Sequence, residues 1–335
     1  MLRNLNVDKK LKEEVFCKMR PDRVSLEAKK DSLICAFGAQ YLRIHREKHF
    51  INVTSRKMRE LAKLFIELKK LKPGLKDLMD ALKPQNYDII ITATKKVASY
   101  DDKLDRYGAP TYAMNISTSL KQCCNIAIMN ILKSGSRVQT ATMQADVKTL
   151  IQLIEANWKF DVSSQACSDL NLKKWNKVTM VPLASDLKLL KDHLCEKAKT
   201  AASKLSLVDS TDVEAYITLT ETVYCRVILL NRRRPGELQR LLLSTYQECR
   251  NENNAYEEFY RAISATEKLL INSFKRIVIR GKRGRGVPVL FTEDTQRDID
   301  LLQYVRHAED RNSTGSAGCQ SCAVSGQSKY LWNTQ

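Results

Sequence analysis

Along the first half of the chain, apolar residues return every three or four positions. In TSRKMRELAKLFIELKKLKPG, residues 54–74, Met58, Leu61, Leu64, Phe65 and Leu68 share one helical face. Thr54 stands where an N-cap is wanted, and Pro73 with Gly74 ends the run. The same period covers 24–46, 86–100, 110–133, 142–158 and 161–173, with breaks at Pro84, around 108–110 and at Gly135. Strand signals are nearly absent over this stretch. Residues 173–186, KKWNKVTMVPLASD, read as an extended joint in which Pro182 excludes helix and Ser185 is placed to cap the next helix. A domain boundary is expected there. Leu187, Leu190 and Leu194 then mark a helix over 186–206, and Thr211 with Glu214 forms a capping box for another that ends at Asn231. Two more are expected over 236–249 and 254–273.

The period then falls to two. FKRIVIRGKRGRGVPVLF places Ile277 and Ile279 on one face and Arg276, Val278 and Arg280 on the other, and a second apolar run extends from Val287 to Phe291. This predicts a β-hairpin whose second strand, carrying Pro288, is an edge. Thr292, with Glu293 and Asp294 behind it, opens a last helix through Leu301, Leu302 and Val305. Residues 312–328, NSTGSAGCQSCAVSGQS, are small and polar, the composition of a flexible tail or an unfinished loop.

Charge changes the picture more than composition does. The 335 residues have 43% hydrophobic content, enough for two ordinary domains with their own cores. They carry 56 Lys and Arg against 38 Asp and Glu, a formal charge of +18 that favours polyanionic partners, nucleic acid first. The segment MLRNLNVDKKLKEE has charges where a secretory signal needs an apolar core, and no stretch approaches a membrane span, so a soluble intracellular protein is expected. The ten cysteines are therefore expected as reduced thiols. Cys319 and Cys322 make one CxxC without a second pair, at most half a zinc site. Neither a metal nor a cofactor is expected.

Two basic clusters stand within about fifty residues of one another. In LLNRRRPGELQRL a helix ends in Arg232, Arg233 and Arg234, and Pro235 with Gly236 turns the chain before Glu237. The second cluster is the hairpin tip, Arg280 to Gly286, with Lys282, Arg283 and Arg285; Lys275 and Arg276 lie on the strand that leads into it. Arginine fixed at a helix end suits bidentate contact with phosphate oxygens, and lysine on a tip can bring one proton to a leaving oxygen. Each cluster has a plainer reading: NRRR as a solvated helix end, RGKRGRG as a nuclear-localisation or general RNA-binding segment.

The order of these features, an R-x-x-E motif between helices and then a strand, Gly-Lys, a basic turn and a strand with Val-Pro, resembles the catalytic domain of tyrosine recombinases. The wording NRRRxGE and RGKRGRGVPVL is most similar to recombinase-like proteins of the Crypton mobile-element type in animal genomes. The resemblance implies that Arg234 grips a scissile phosphate, that Glu237 supports Arg234, and that Lys282 is general acid to the leaving 5′-hydroxyl. Arg232 or Arg233 takes the place of Arg234 if the register shifts. It also implies duplex DNA as partner, a nuclear location and a helical core-binding domain preceding the catalytic one.

The chain departs from the family after the hairpin. His307 in RHAEDR has Arg at i+4 where the family has H-x-x-R, Tyr304 precedes that histidine, and Tyr330 comes after no such motif. Without a nucleophilic tyrosine there is no covalent step, so strand cleavage is not expected. The expected fold is mainly α with a small β-hairpin. It comprises a basic, helical, core-binding-like region over 1–175, the N-terminal part of an α+β tyrosine-recombinase-like catalytic domain over 176–310, and a flexible polar tail or unfinished loop over 311–335. Self-association is compatible with the sequence but not indicated by it. The competing expectation is a helical scaffold that binds RNA or acidic proteins through its basic surface.

Overall fold

The periodicity over 24–46 predicts one helix, yet Asp31 divides it into α1 (Arg23–Lys30) and α2 (Ser32–Ile44). The reason is local. One carboxylate oxygen of Asp31 accepts the backbone N–H groups of Leu33 and Ile34, both at 2.9 Å, and so caps α2. The other accepts the N–H of Leu78 at 2.7 Å, tying the cap to α4 (Leu78–Ala81). Asp31 is buried, and burial pushes its carboxyl above the ordinary carboxylate value against the pull of those three donors. Asp31→Asn presents an NH₂ group to one of the donors. It is expected to lose about 1–3 kcal/mol at neutral pH, measured by urea unfolding.

The computed structural model describes residues 7–45, 47–133, 137–175, 181–207, 212–248, 264–265, 273–281, 284–314 and 331–332. Among the described residues the chain is mainly helical with two small antiparallel two-stranded sheets, and it divides into units of residues 1–179 and 180–335.

The first unit is built around α3 (Phe50–Leu71), whose buried stripe contains all five predicted positions, Met58, Leu61, Leu64, Phe65 and Leu68. The helix starts four residues before the expected cap. Thr54 lies inside it, buried, with its hydroxyl bonded back to the Phe50 carbonyl at 2.8 Å. α2 crosses α3 at Gly38, where a Cβ would stand 2.5 Å from the Met58 sulfur, so no larger residue fits without moving that side chain. α5 (Tyr87–Val97), α6 (Pro110–Lys133), α7 (Arg137–Trp158) and α8 (Ser164–Trp175) complete one core with Ile90, Leu120, Leu150 and Ala166. Between α5 and α6 the structure adds a strand pair that the sequence pattern does not show, β1 (Tyr100–Asp101) and β2 (Arg106–Tyr107). Two residues per strand are too few to display alternation. The pair is anchored by the Tyr107 N–H, which donates to buried Asp169 at 2.8 Å.

In the second unit α9 (Ala184–Leu205) starts just after Pro182. Ser185 falls inside the helix instead of capping it, and Asp186 reaches back to accept the Leu183 N–H at 2.9 Å. Lys173, Lys174 and Trp175 of the expected joint belong to α8. α10 (Val213–Asn231) is capped by Asp212, which accepts the Ala215 N–H at 3.0 Å; Thr211, the expected cap, is outside the described residues. The single helix expected over 236–249 is two short ones, α11 (Pro235–Leu238) and α12 (Leu243–Glu248), and 254–273 falls largely outside the described residues.

The hairpin forms as predicted, with β3 (Phe274–Arg280) paired to β4 (Gly286–Thr292). Ile277, Ile279, Val289 and Phe291 face a core shared with Leu219, Val223 and Val227 of α10 and with Ile299 and Leu302 of α13 (Glu293–Thr314). Thr292 opens α13, its hydroxyl accepting the Thr295 N–H at 3.3 Å. The helix ends at Thr314, three residues into the 312–328 segment expected as a polar tail. Near the C-terminus Leu331 is buried, its N–H donating to the Leu241 carbonyl at 2.9 Å. Trp332 donates its indole N–H to the Leu238 carbonyl at 2.9 Å.

Candidate nucleic-acid interface

The helix that carries the arginine cluster ends on a left-handed residue. Arg232 has φ 49° and ψ 38°, and its N–H returns to the Ile228 carbonyl at 2.8 Å, a C-terminal turn that glycine usually makes. Arg234 is extended (φ −69°, ψ 128°) and precedes Pro235 at the first position of α11, so two fixed turns sit three residues apart. The result is a rigid corner with Arg232, Arg233 and Arg234 all exposed.

Glu237 is buried beneath that corner. Its carboxylate lies 3.5 Å from the Arg234 guanidinium, whose side chain remains 67% exposed. At that exposure the pair orients Arg234 and adds little stability. Tyr224 adds a second brace, its hydroxyl donating to the Pro235 carbonyl at 2.7 Å.

The corner is fastened to the hairpin by Asn231. Its side-chain nitrogen donates to the Leu290 carbonyl at 2.8 Å, and its side-chain oxygen accepts the Leu290 N–H at 2.8 Å. Pro288 stands two residues earlier, on the same outward-facing side of β4, where its missing N–H costs no ladder bond.

The hairpin sorts its basic residues onto two faces. Arg276 and Arg280 are exposed beside Val278, opposite Leu290, Gly286 and Pro288 respectively in the register that pairs 276 with 290, 280 with 286 and 278 with 288. Lys275 faces the other way and is only partly exposed. Its ammonium sits 4.0 Å from the centre of the Tyr246 ring, and this cation–π contact makes it a packing residue of the hairpin base instead of a member of the outer basic face. At the tip the Gly281 N–H donates to the Arg285 carbonyl at 2.8 Å, and Gly284 takes φ +75°. A Cβ on Gly281 would lie 2.3 Å from a Val287 methyl, so the tight approach there requires glycine. Arg285 is exposed; Lys282 and Arg283 lie outside the described residues.

Spacing limits what this surface can do. Leu290, to which Asn231 is bonded, is four residues from Gly286, about 13 Å along the strand. The Arg232–Arg234 corner and the hairpin tip are therefore separate stations along an arginine row, spaced by the axial run of about four phosphates of one strand. Tyr304 is 67% exposed on α13, His307 is exposed on the same helix, and Tyr330 lies outside the described residues.

Sequence reasoning missed three residues that build the site. Asn231, Tyr224 and Arg226 all make contacts with residues 11 to 72 positions away, and nothing local announces those partners. Arg226 bonds Asp298 of α13 at 2.7 Å with both side chains largely buried, so it is structural where the neighbouring arginines are not. The seven described cysteines are free thiols, and burial pushes those of Cys35 and Cys124 up to about 12, where they stay protonated at neutral pH. Among the described residues there is no cluster of three metal-ligating side chains. Cys319 and Cys322 fall outside them. No described helix is long and apolar enough to cross a membrane. Comparison with family models, with curated proteins and with solved structures finds no match to this chain.

Proposed function

We propose that this chain is a duplex-DNA-binding protein of tyrosine-recombinase ancestry that grips phosphates through its second unit and does not cut the strand. One observation carries the reading: exposed arginines are held on rigid supports, with the Arg232–Arg234 corner pinned by Asn231 to a hairpin that bears Arg276, Arg280 and Arg285. Surface arginines that merely solvate a helix end need no such bracing. The order of R-x-x-E turn, short helices and basic hairpin adds support, and on this reading unit one is the core-binding-like domain and unit two the N-terminal part of the catalytic domain. The same reading implies a nuclear site of action.

The test is a salt titration with a short labelled DNA duplex. Binding is expected to weaken as salt rises, with log K falling against log salt at a slope of about 0.9 for each phosphate neutralised. Absence of binding at low salt would overturn the proposal, and so would a clear preference for an RNA duplex or an acidic polypeptide over DNA. Incubation with a nicked suicide substrate is expected to yield no covalent adduct.

A further inference from the structure

The first unit contains a basic groove of its own. It encloses about 420 Å³ and is lined by Arg20, Asn52, Ser55, Arg56, Arg59 and Lys63, with Glu60 at its side. Five of the six lie on one face of α3 at spacings of three and four, which is why they form a stripe; Arg20 comes from the loop before α1.

The groove has a fixed wall. Arg59 makes a two-pronged bond to Asp22, at 2.7 and 2.6 Å, and also donates to the Ser25 hydroxyl. Asp22 caps α1 through the Ser25 N–H at 2.8 Å. The Arg59 guanidinium and that N–H hold the Asp22 carboxyl well below the usual carboxylate range, so the pair stays charged. Its effect is to pin the loop carrying Arg20, two residues away, against α3.

Four cations then face two carboxylates. Arg59 is committed to Asp22, and Arg56 reaches Glu60 only at 3.8 Å. Arg20 and Lys63 are exposed and have no ion-pair partner among the described residues. From Arg56 to Lys63 the helix rises about 10 Å, the axial run of about three nucleotides of one strand. Asn52 and Ser55 offer neutral donors at the near end. A patch of this length, concave, braced and with uncompensated charge, is matched to a phosphodiester backbone better than to one isolated anion.

We infer that this groove is a second phosphate-backbone site for duplex DNA, in which Arg20 and Lys63 make the contacts while Arg59 and Asp22 position the loop. The inference rests on the DNA-binding reading above. Its test uses the full chain with Arg20→Ala and Lys63→Ala combined, measured against the same labelled duplex across a salt series. The double variant is expected to lower the salt slope by about 2 and to weaken binding about 30-fold near 0.15 M salt, with an unchanged thermal melt because both side chains are exposed. Arg20→Lys with Lys63→Arg is expected to restore binding. If wild type binds and the double variant matches it in affinity and slope, the groove is only a solvated face and the inference fails while the parent reading stands. If wild type does not bind, both fall.

Discussion

Replacing Arg232, Arg233 and Arg234 together by alanine is expected to weaken binding to duplex DNA about 100-fold near 0.15 M salt and to lower the salt slope by about 3. The three side chains are exposed, and the backbone turn they occupy is set by Pro235 and by the bond from Arg232 to Ile228, so the loss is one of charge more than of fold. Alanine at 232 adopts the same left-handed backbone as the arginine it replaces, and because both residues carry a Cβ the turn costs no more than in wild type and the unit stays folded. The effect should be uniform across DNA sequences, because guanidinium–phosphate contacts carry no base information. Anisotropy measured on two unrelated duplexes checks this. A loss confined to one of them would assign the corner to base reading, and no loss at all would remove it from the interface. Glu237→Gln alone should weaken binding far less, since it only orients Arg234.

Arg226→Ala is expected to destabilise the second unit by about 3–5 kcal/mol. Arg226 and Asp298 join α10 to α13 at 2.7 Å, and their side chains are 12% and 18% exposed. Burial already raises the Asp298 carboxyl above its ordinary value in spite of Arg226. Removing the arginine raises it further and leaves an unpaired charge under the helix. A carboxyl raised in the folded state contributes stability at low pH that is lost as pH rises through the folded value. The variant should therefore recover toward wild type when urea unfolding is repeated near pH 4 and fall farthest behind near pH 7. A gap independent of pH would mean that lost packing, and not the stranded carboxylate, dominates.

The parts of the fold legible in sequence are those written in period. The α3 stripe and the alternation of Ile277 and Ile279 against Arg276 and Arg280 each predict a face, and the buried and exposed sets agree with them. What was not legible depends on single residues with choices. Asp31 stops a helix that the apolar pattern carries straight through, because a carboxylate able to accept three N–H groups outweighs continued periodicity. Thr54 and Ser185 have the right chemistry for caps but lie within helices that start earlier, at Phe50 and Ala184.

The candidate site divides along the same line. The arginine corner and the hairpin were legible as clusters in sequence, but the bond from Asn231 to Leu290 that joins them spans 59 residues. Lys275 could be placed on a strand from sequence, but not over a tyrosine ring supplied by α12. The polar 312–328 segment gave no sign that Leu331 and Trp332 would come back to the core, where Trp332 meets the edge of the Tyr224 ring at 5.2 Å.

The two bonds from Asn231 to Leu290 have a consequence for chain behaviour in concentrated solution. A two-stranded sheet ends in an open margin of amide and carbonyl groups that another polypeptide can adopt as a template. Here the side-chain amide supplies one donor and one acceptor, the same pair an incoming strand would supply at that residue, while Pro288 has no donor to give at the next outward position. The margin of β4 is thereby closed to polymerisation by a single planar group. Asn231→Ala should reopen it, and the first symptom would be time-dependent aggregation, detected by light scattering, at concentrations where the wild-type chain stays clear.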